Sequence, residues 1–379
     1  MTASGDIRHD HAGRLSRARS ELERAGLAGL VVSPSADLIY LAGYDALPLE
    51  RLTALVVRWN QDPVLLVPRL EEPRAAASPA GGLVEIESWP DGDDPYEAAG
   101  RLLGGGGACA VSDRMFAMHL LGLQRSVSTA TFVSASAVMS SLRIRKDAAE
   151  VTLLQRAGES ADRTFDLVGG IGFEGSRERD VSRSLAATLI ETGCDTAAFG
   201  IVGSGPNGAS PHHEAGDRLI QDGDTVVLDF GGRIGGYCSD LSRTVTIGEP
   251  PPEVKEVHAV VREAQESAFR AIRPGVAAQD IDRTARRVIA EAGYGDMFIH
   301  RTGHGIGLDE HEDPYLVEGN EQPLEPGMCF SVEPGIYLEG RFGVRIEDIV
   351  TVTEEGARRL NEAPRDLLIA GWAVGYRPM

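Results

Sequence analysis

The chain has 379 residues, 42% of them hydrophobic and 25% charged, which excludes wholesale disorder and exceeds the roughly 250 to 300 residues at which a single core stops growing. Two domains are therefore expected. With 37 basic against 57 acidic side chains and a formal charge of −20, the surface repels a polyanion, which argues against nucleic acid as a partner.

From Ala12 to Ala25 apolar and charged residues recur at helical spacing, and Leu27 to Ser33 then reads as a buried strand ending in a Ser-Pro turn. Strands are predicted at Leu52 to Val57, Val64 to Val67 and Leu83 to Ile86, and a helix at Tyr96 to Leu103 before the glycine run Gly104 to Gly107. This is the pattern of an α/β domain over residues 1–144.

A second domain, residues 145–379, opens where Leu142 to Asp147 leads into a long amphipathic helix from Ala148 to about Val168. A helix at Ser176 to Glu191, a strand at Phe199 to Val202 and a strand pair from Thr225 to Ile247 follow. Pro250 to Pro252 lead a helix to about Ile272, because proline is tolerated at a first helical turn. A helix at Ala278 to Ala292 precedes a strand pair between Met328 and Val352. The order helix, helix, strand pair thus occurs twice, without identity between the halves to support it.

The N-terminus, Met1 to Arg14, is polar and has no apolar signal core, and no stretch approaches 18 uninterrupted apolar residues. A protein neither secreted nor membrane-spanning is expected. Four widely spaced cysteines without a CxxC fit reduced thiols in the cytoplasm.

Chemistry concentrates in the two strand pairs. Asp229 sits in the apolar run Val226 to Phe230, and Gly235 and Gly236 permit a reversal that brings Asp240 to the same side. A carboxylate in such a run is costly unless its charge is compensated, by a divalent cation or by a nearby arginine such as Arg243. The second pair repeats the oddity with Glu333 after Phe330-Ser331-Val332 and Glu347 after Val344-Arg345-Ile346. Between them, His304 is flanked by Gly303 and Gly305, which leaves its imidazole accessible. Four carboxylates and one imidazole suit manganese, iron(II) or cobalt better than a structural zinc. Five such donors exceed the needs of one ion, and a pair roughly 3.5 Å apart sharing two carboxylates would supply a hydroxide nucleophile at neutral pH.

The strings LDFGGRIGGYCSDLSRT, GHGIGLDEHE, GMCFSVEPGIY and GVRIEDIV, in this order and preceded by GSGPNGASPHHE, resemble the pita-bread metallopeptidases. That family includes methionine aminopeptidases, Xaa-Pro aminopeptidases and Xaa-Pro dipeptidases. The resemblance implies an α/β (α+β) chain: a creatinase-like N-terminal domain, then a pita-bread domain with a pseudo-twofold repeat. It implies two divalent metals, manganese foremost, with cobalt, iron or zinc as alternatives. Asp229 would bind one metal and His304 with Glu333 the other, while Asp240 and Glu347 bridge.

The same resemblance assigns His212 and His311 to the substrate carbonyl, with His213 as a rival to His212, and gives Glu333 a second role as proton shuttle. Arg345 matches an arginine near the metal carboxylates, or is a charge partner of Asp229 or Asp240. The implied substrate is a peptide with proline in second position, cleaved by a dipeptidase. The alternatives are an Xaa-Pro aminopeptidase, a metal-dependent small-molecule hydrolase or lyase, and a catalytically dead binding protein. Arg51, beside Pro48 in the loop Tyr44 to Arg51, is the expected cation for the substrate carboxylate. A homodimer is also implied.

Overall fold

The computed structural model describes residues 9–370, so Met1 to Arg8 of the polar N-terminal stretch lie outside the described residues. The chain divides into two compact units between Arg143 and Ile144.

In the first unit, helix His11–Arg24 is capped by Asp10, whose carboxylate accepts from the Gly13 N–H at 2.8 Å, and it buries Leu15, Ala18 and Leu22. It feeds a fully buried strand, β1 (Gly29–Val32). Next come β2 (Ala54–Arg58), β3 (Gln61–Pro68), β4 (Glu85–Trp89), β5 (Gly107–Val111) and β6 (Ala130–Ser134). They form one sheet in the order β4-β3-β2-β1-β5-β6. Val31, Val56, Leu66 and Val111 carry one apolar core with Leu103 and Leu123 of the helices Pro95–Leu103 and Ala117–Ser126.

The second unit contains the doubled order. Helices Ala148–Asp166 and Glu178–Glu191 precede β7 (Thr196–Ser204), β8 (Thr225–Ile234), β9 (Tyr237–Cys238) and β10 (Leu241–Ile247). Helices Pro252–Ala271 and Ala278–Glu291 precede β11 (Gly303–Gly305), β12 (Glu312–Leu316), β13 (Cys329–Val332), β14 (Gly335–Leu338), β15 (Phe342–Arg345), β16 (Asp348–Val352) and β17 (Ala357–Arg359). A last strand, β18 (Leu368–Ala370), joins the first of three sheets, ordered β18-β10-β8-β7 with β9 on β8; the second runs β12-β11-β13-β16-β17, and β14 with β15 forms the third.

Symmetry between the halves survives in one polar detail. Glu178, in the second helix of the first half, accepts from the N–H and hydroxyl of Ser204 at 2.8 and 2.7 Å. Asp282, in the second helix of the second half, accepts from the N–H and hydroxyl of Thr302 at 2.9 and 2.7 Å. Each buried acid ties its helix to a residue that shortly precedes a histidine, His212 after Ser204 and His304 after Thr302.

The expected strand pair between Met328 and Val352 is in fact two ladders, β13 with β16 and β14 with β15. The break falls at Glu333-Pro334, where proline has no N–H to continue a ladder.

Candidate metal centre

Strand register brings the acids together. In the antiparallel ladder of β8 and β10, Asp229 lies opposite Ser242, and Asp240 immediately precedes β10. In the ladder of β13 and β16 the last pair is Val332 with Asp348, so Glu333 and Glu347 stand one step beyond it. His304 lies on β11 opposite Tyr315, and the adjacent Gly305 pairs with Phe330 of β13.

The glycines beside His304 are sterically required. A Cβ on Gly303 would stand 2.0 Å from the Ser331 carbonyl oxygen, and one on Gly305 2.2 Å from that of Asp313. Gly303→Ala is therefore expected to push β11 off β13, lowering the melting temperature and weakening metal binding at least about tenfold. Metal titration followed by thermal denaturation checks this, and unchanged affinity would refute it.

All five donors line one cavity of about 590 Å³, together with His212, His311, His300, Arg301 and Arg345. Asp240, His304 and Glu347 each offer an atom within 4.8 Å of the others. His304 Nε2 is 3.6 Å from Asp240 Oδ2 and 3.4 Å from Glu333 Oε1, while Nδ1 is 3.1 Å from the Gly305 carbonyl. That carbonyl can only accept, so Nδ1 carries the proton and Nε2 faces the acids with its lone pair.

The side chains themselves test whether a divalent cation fits. Asp229 Oδ1 and Glu347 Oε1 are buried without a hydrogen-bond partner. Burial pushes the Asp240 carboxyl well above the usual carboxylate range, reinforced by Glu347, Asp229 and Glu333. Glu347 is likewise pushed well up, by burial and then by Glu333 and Asp229. Glu333 is raised to about 7, chiefly by burial. Burial lowers His304 to about 3, keeping it neutral. Four clustered acids with orphaned oxygens and a neutral imidazole are a donor set that divalent cations satisfy.

Arg345 is the partner of Asp229, and the pairing of Asp229 with Arg243 does not occur. Every nitrogen of its guanidinium is engaged: Nη2 donates to Asp229 Oδ2 at 2.6 Å, Nε to Ser242 Oγ at 2.8 Å, and Nη1 to Tyr337 Oη at 3.0 Å and the Pro211 carbonyl at 3.2 Å. Ser242 Oγ in turn donates to Glu347 Oε2 at 2.8 Å. Arg243 faces the other way and pairs with Asp348 at 2.7 Å. Asp348 is fully buried, and it also accepts from Arg365, Arg359, Gln265 and Asn361.

The adjacent histidines part company. His213 Nε2 is 2.8 Å from Glu178 Oε2, and Asn207 Nδ2 donates to the same carboxylate, so Glu178 fastens the loop between β7 and β8. His212 lines the cavity. His311 has its ring centroid 3.9 Å from that of His304, and its basicity is lowered by burial and by Arg301.

Sequence reasoning missed His300 and Tyr337. His300 Nε2 is 2.8 Å from Tyr337 Oη, extending the chain of contacts from Arg345, and burial followed by Arg345 lowers its basicity to about 3. No local signal marks either residue beyond a histidine four positions before His304. Arg51 lies in the first unit, with Nε and Nη2 on the two carboxylate oxygens of Asp91 at 2.9 and 3.0 Å and Nη1 on Glu50 at 2.7 Å. Each of its three nitrogens thus binds a neighbouring carboxylate.

The model of metallopeptidase family M24 matches residues 152–354, and that of the creatinase/prolidase N-terminal domain matches residues 14–145. A probable dipeptidase PepE of Mycobacterium bovis is 47% identical over 95% of this chain and 96% of its own length. An Xaa-Pro dipeptidase of Lactobacillus helveticus is 37% identical over 89% of this chain and 94% of its own. The crystal structure of dipeptidase PepE from Mycobacterium ulcerans superposes with a TM-score of 0.91 at 47% identity, covering 96% of this chain and 99% of that one.

Proposed function

The chain belongs to metallopeptidase family M24, and we propose that it is a dipeptidase hydrolysing the Xaa-Pro bond with two divalent metals, manganese foremost. The convergence of four carboxylates and a neutral imidazole on one cavity carries this reading. Its relatives named dipeptidase and Xaa-Pro dipeptidase support the substrate class. Asp229 would hold one ion, His304 with Glu333 the other, and Asp240 with Glu347 both. When bound, the ions supply the Lewis acidity and the ionised water that amide hydrolysis needs.

The remaining side chains position and protonate. His212 and His311 donate to the carbonyl oxygen of the scissile bond, stabilising the charge that develops there. The Glu333 carboxylate carries a proton towards the leaving proline nitrogen. Arg345 holds Asp229 in place through its fork. The catalytic domain in this reading spans residues 145–379 and the creatinase-like domain residues 1–144, in keeping with the compact units and the two matched segments. A cytoplasmic homodimer completes it. Four buried free cysteines accord with that compartment, and no helix of the described residues is long and apolar enough to cross a membrane.

A manganese-loaded assay on Xaa-Pro dipeptides, Xaa-Pro tripeptides and proline-free dipeptides tests the reading, with cleavage of the first set alone expected. Cleavage of tripeptides would establish an aminopeptidase instead, metal binding without peptide hydrolysis would favour a metal-dependent small-molecule enzyme, and undetectable metal together with no hydrolysis would favour a binding protein. Arg51 contributes only where substrate competes with Asp91 and Glu50 for its guanidinium. If it does, Arg51→Ala lowers the preference for dipeptides over tripeptides by about tenfold or more, the value of a charge-assisted hydrogen bond. An unchanged preference removes Arg51 from the site.

A further inference from the structure

Resting on the reading in which His212 serves the scissile carbonyl, we propose that His213 is a positioning residue: pinned on Glu178, it aims the neighbouring His212 ring at that carbonyl. The His212 ring lines the cavity and has no hydrogen-bond partner among the described residues. A ring left open for substrate cannot be oriented through its own nitrogens, so its aim must come from the backbone that carries it. That backbone has no ladder to hold it. His212 lies in a turn of the connection between β7 and β8, outside every helix and strand.

Both sequence neighbours of His212 are tied instead. The Pro211 carbonyl accepts from Arg345 Nη1 at 3.2 Å, and His213 Nε2 stands 2.8 Å from Glu178 Oε2. An ionised carboxylate only accepts, so His213 Nε2 carries the proton. The His213 N–H also donates to the Ser210 carbonyl at 3.1 Å, closing the turn around His212. Glu178 is fully buried and stays ionised: burial opposes its charge, but the donors on Ser204, His213 and Asn207 outweigh it.

Comparison of the two halves shows what this acid does beyond joining a helix to a strand. Asp282 gives one oxygen to Thr302, as Glu178 gives Oε1 to Ser204, but its other oxygen accepts from Arg286 Nε at 2.7 Å within its own helix. Glu178 turns its second oxygen to the loop, accepting from His213, from Asn207 Nδ2 at 3.1 Å and from the Gly216 N–H at 3.3 Å. The halves diverge at the oxygen that reaches the His212 loop. His311 is bracketed by the same device, since Glu310 pairs with Arg233 at 2.9 Å and Glu312 with the buried Lys146 at 2.6 Å.

The test measures kcat and KM on an Xaa-Pro dipeptide for the manganese-loaded wild type, His213→Phe, His213→Gln, His212→Ala and the double variant His213→Phe/His212→Ala. Metal content and melting temperature are measured on each. In His213→Phe the Glu178 carboxylate keeps its donors on Ser204, Asn207 and Gly216, so metal content stays at the wild-type level. Its kcat falls about tenfold to 10²-fold with KM within about threefold, the scale of a misplaced catalytic group. His213→Gln, whose amide can donate to the same carboxylate, recovers most of that loss. In the His212→Ala background His213→Phe costs nothing further, because its effect runs through that ring. His213→Ala repeats the cycle without the bulk of a phenyl ring. Additive losses in the double variants, metal lost from both His213→Phe and His213→Ala, or kcat within about threefold of wild type in both overturn the proposal and leave the dipeptidase reading intact. His212→Ala with wild-type kcat overturns it together with the carbonyl role of His212. A wild type that binds manganese and cleaves no Xaa-Pro dipeptide overturns both this assignment and the dipeptidase reading.

Discussion

Glu347→Gln is expected to reduce kcat/KM by at least about 10³-fold and at the same time to raise the melting temperature of the metal-free chain. The first effect follows from removing a carboxylate proposed to be shared by both ions, whose contribution to transition-state charge is several kcal/mol. The second follows from the electrostatics of the cluster. Burial and its acidic neighbours hold Glu347 and Asp240 well above their ordinary range, so ionising them in the folded chain is unfavourable. A neutral isostere keeps the bond from Ser242 and relieves the repulsion, worth about 2 to 4 °C for each kcal/mol in a domain of this size.

The sign of the pH dependence follows. A carboxyl whose folded pKa exceeds its unfolded value binds more protons folded than unfolded, so stability falls as pH rises. The chelated wild type should therefore melt at a higher temperature at pH 5 than at pH 8, with the loss extending to about pH 7, where Glu333 titrates. Manganese should reverse this trend by favouring the ionised carboxylates. Differential scanning fluorimetry with and without chelator reads both effects. A metal-free Glu347→Gln chain that melts below wild type would refute the account.

Arg345→Lys is expected to cost about 10²-fold in kcat/KM and a comparable factor in metal affinity, the scale of losing a group that orients a metal donor. Four acceptors surround this guanidinium, at 2.6, 2.8, 3.0 and 3.2 Å. A compact ammonium on a shorter reach cannot serve that fork, so Asp229 loses its partner while its other oxygen already has none. Steady-state kinetics and manganese titration measure the two losses. A lysine variant within about threefold of wild type would show that only the charge matters.

Much of the site was legible because its residues violate local expectation. Asp229, Asp240, Glu333 and Glu347 stand at or beside apolar strand runs, where an uncompensated acid is unfavourable. Sequence could not assign their partners, since these are fixed by ladders between distant segments. Arg345 meets Asp229 across 116 positions, and Ser242 meets Glu347 across 105. Tyr337 reads as a strand aromatic until register sets its hydroxyl between His300 and Arg345.

The same reason explains what the fold kept hidden. Strand β5 went unread because Gly104 to Gly107 signals a loop, and it finds its place through parallel pairing with β1 on one side and β6 on the other. Glu178 looks like an ordinary helix-start acid in the sequence. Its identity with the role of Asp282 emerges only when both are seen accepting from a backbone N–H and an adjacent hydroxyl. His212 and His213 are equivalent by composition, and the carboxylate of Glu178 separates them from 35 residues away.

The consecutive acids Glu347 and Asp348 give the second sheet a form of error checking. Glu347 faces the cavity, while Asp348 faces arginines on the other side and is held ionised: burial opposes its charge, but Arg243 and Arg365 outweigh it. A slip of β16 by one residue fails in either direction. Moved one way, Asp348 would take the place of Glu347 and Ile349 that of Asp348, leaving Arg243 and Arg365 without their acid. Moved the other way, Ile346 would take the place of Glu347, and the longer glutamate would enter a space already filled by Arg243, Gln265 and Asn361. The arginine cluster, which also holds the Glu347 carbonyl through Arg243 at 2.6 Å, thus certifies the alignment on which the donor set depends.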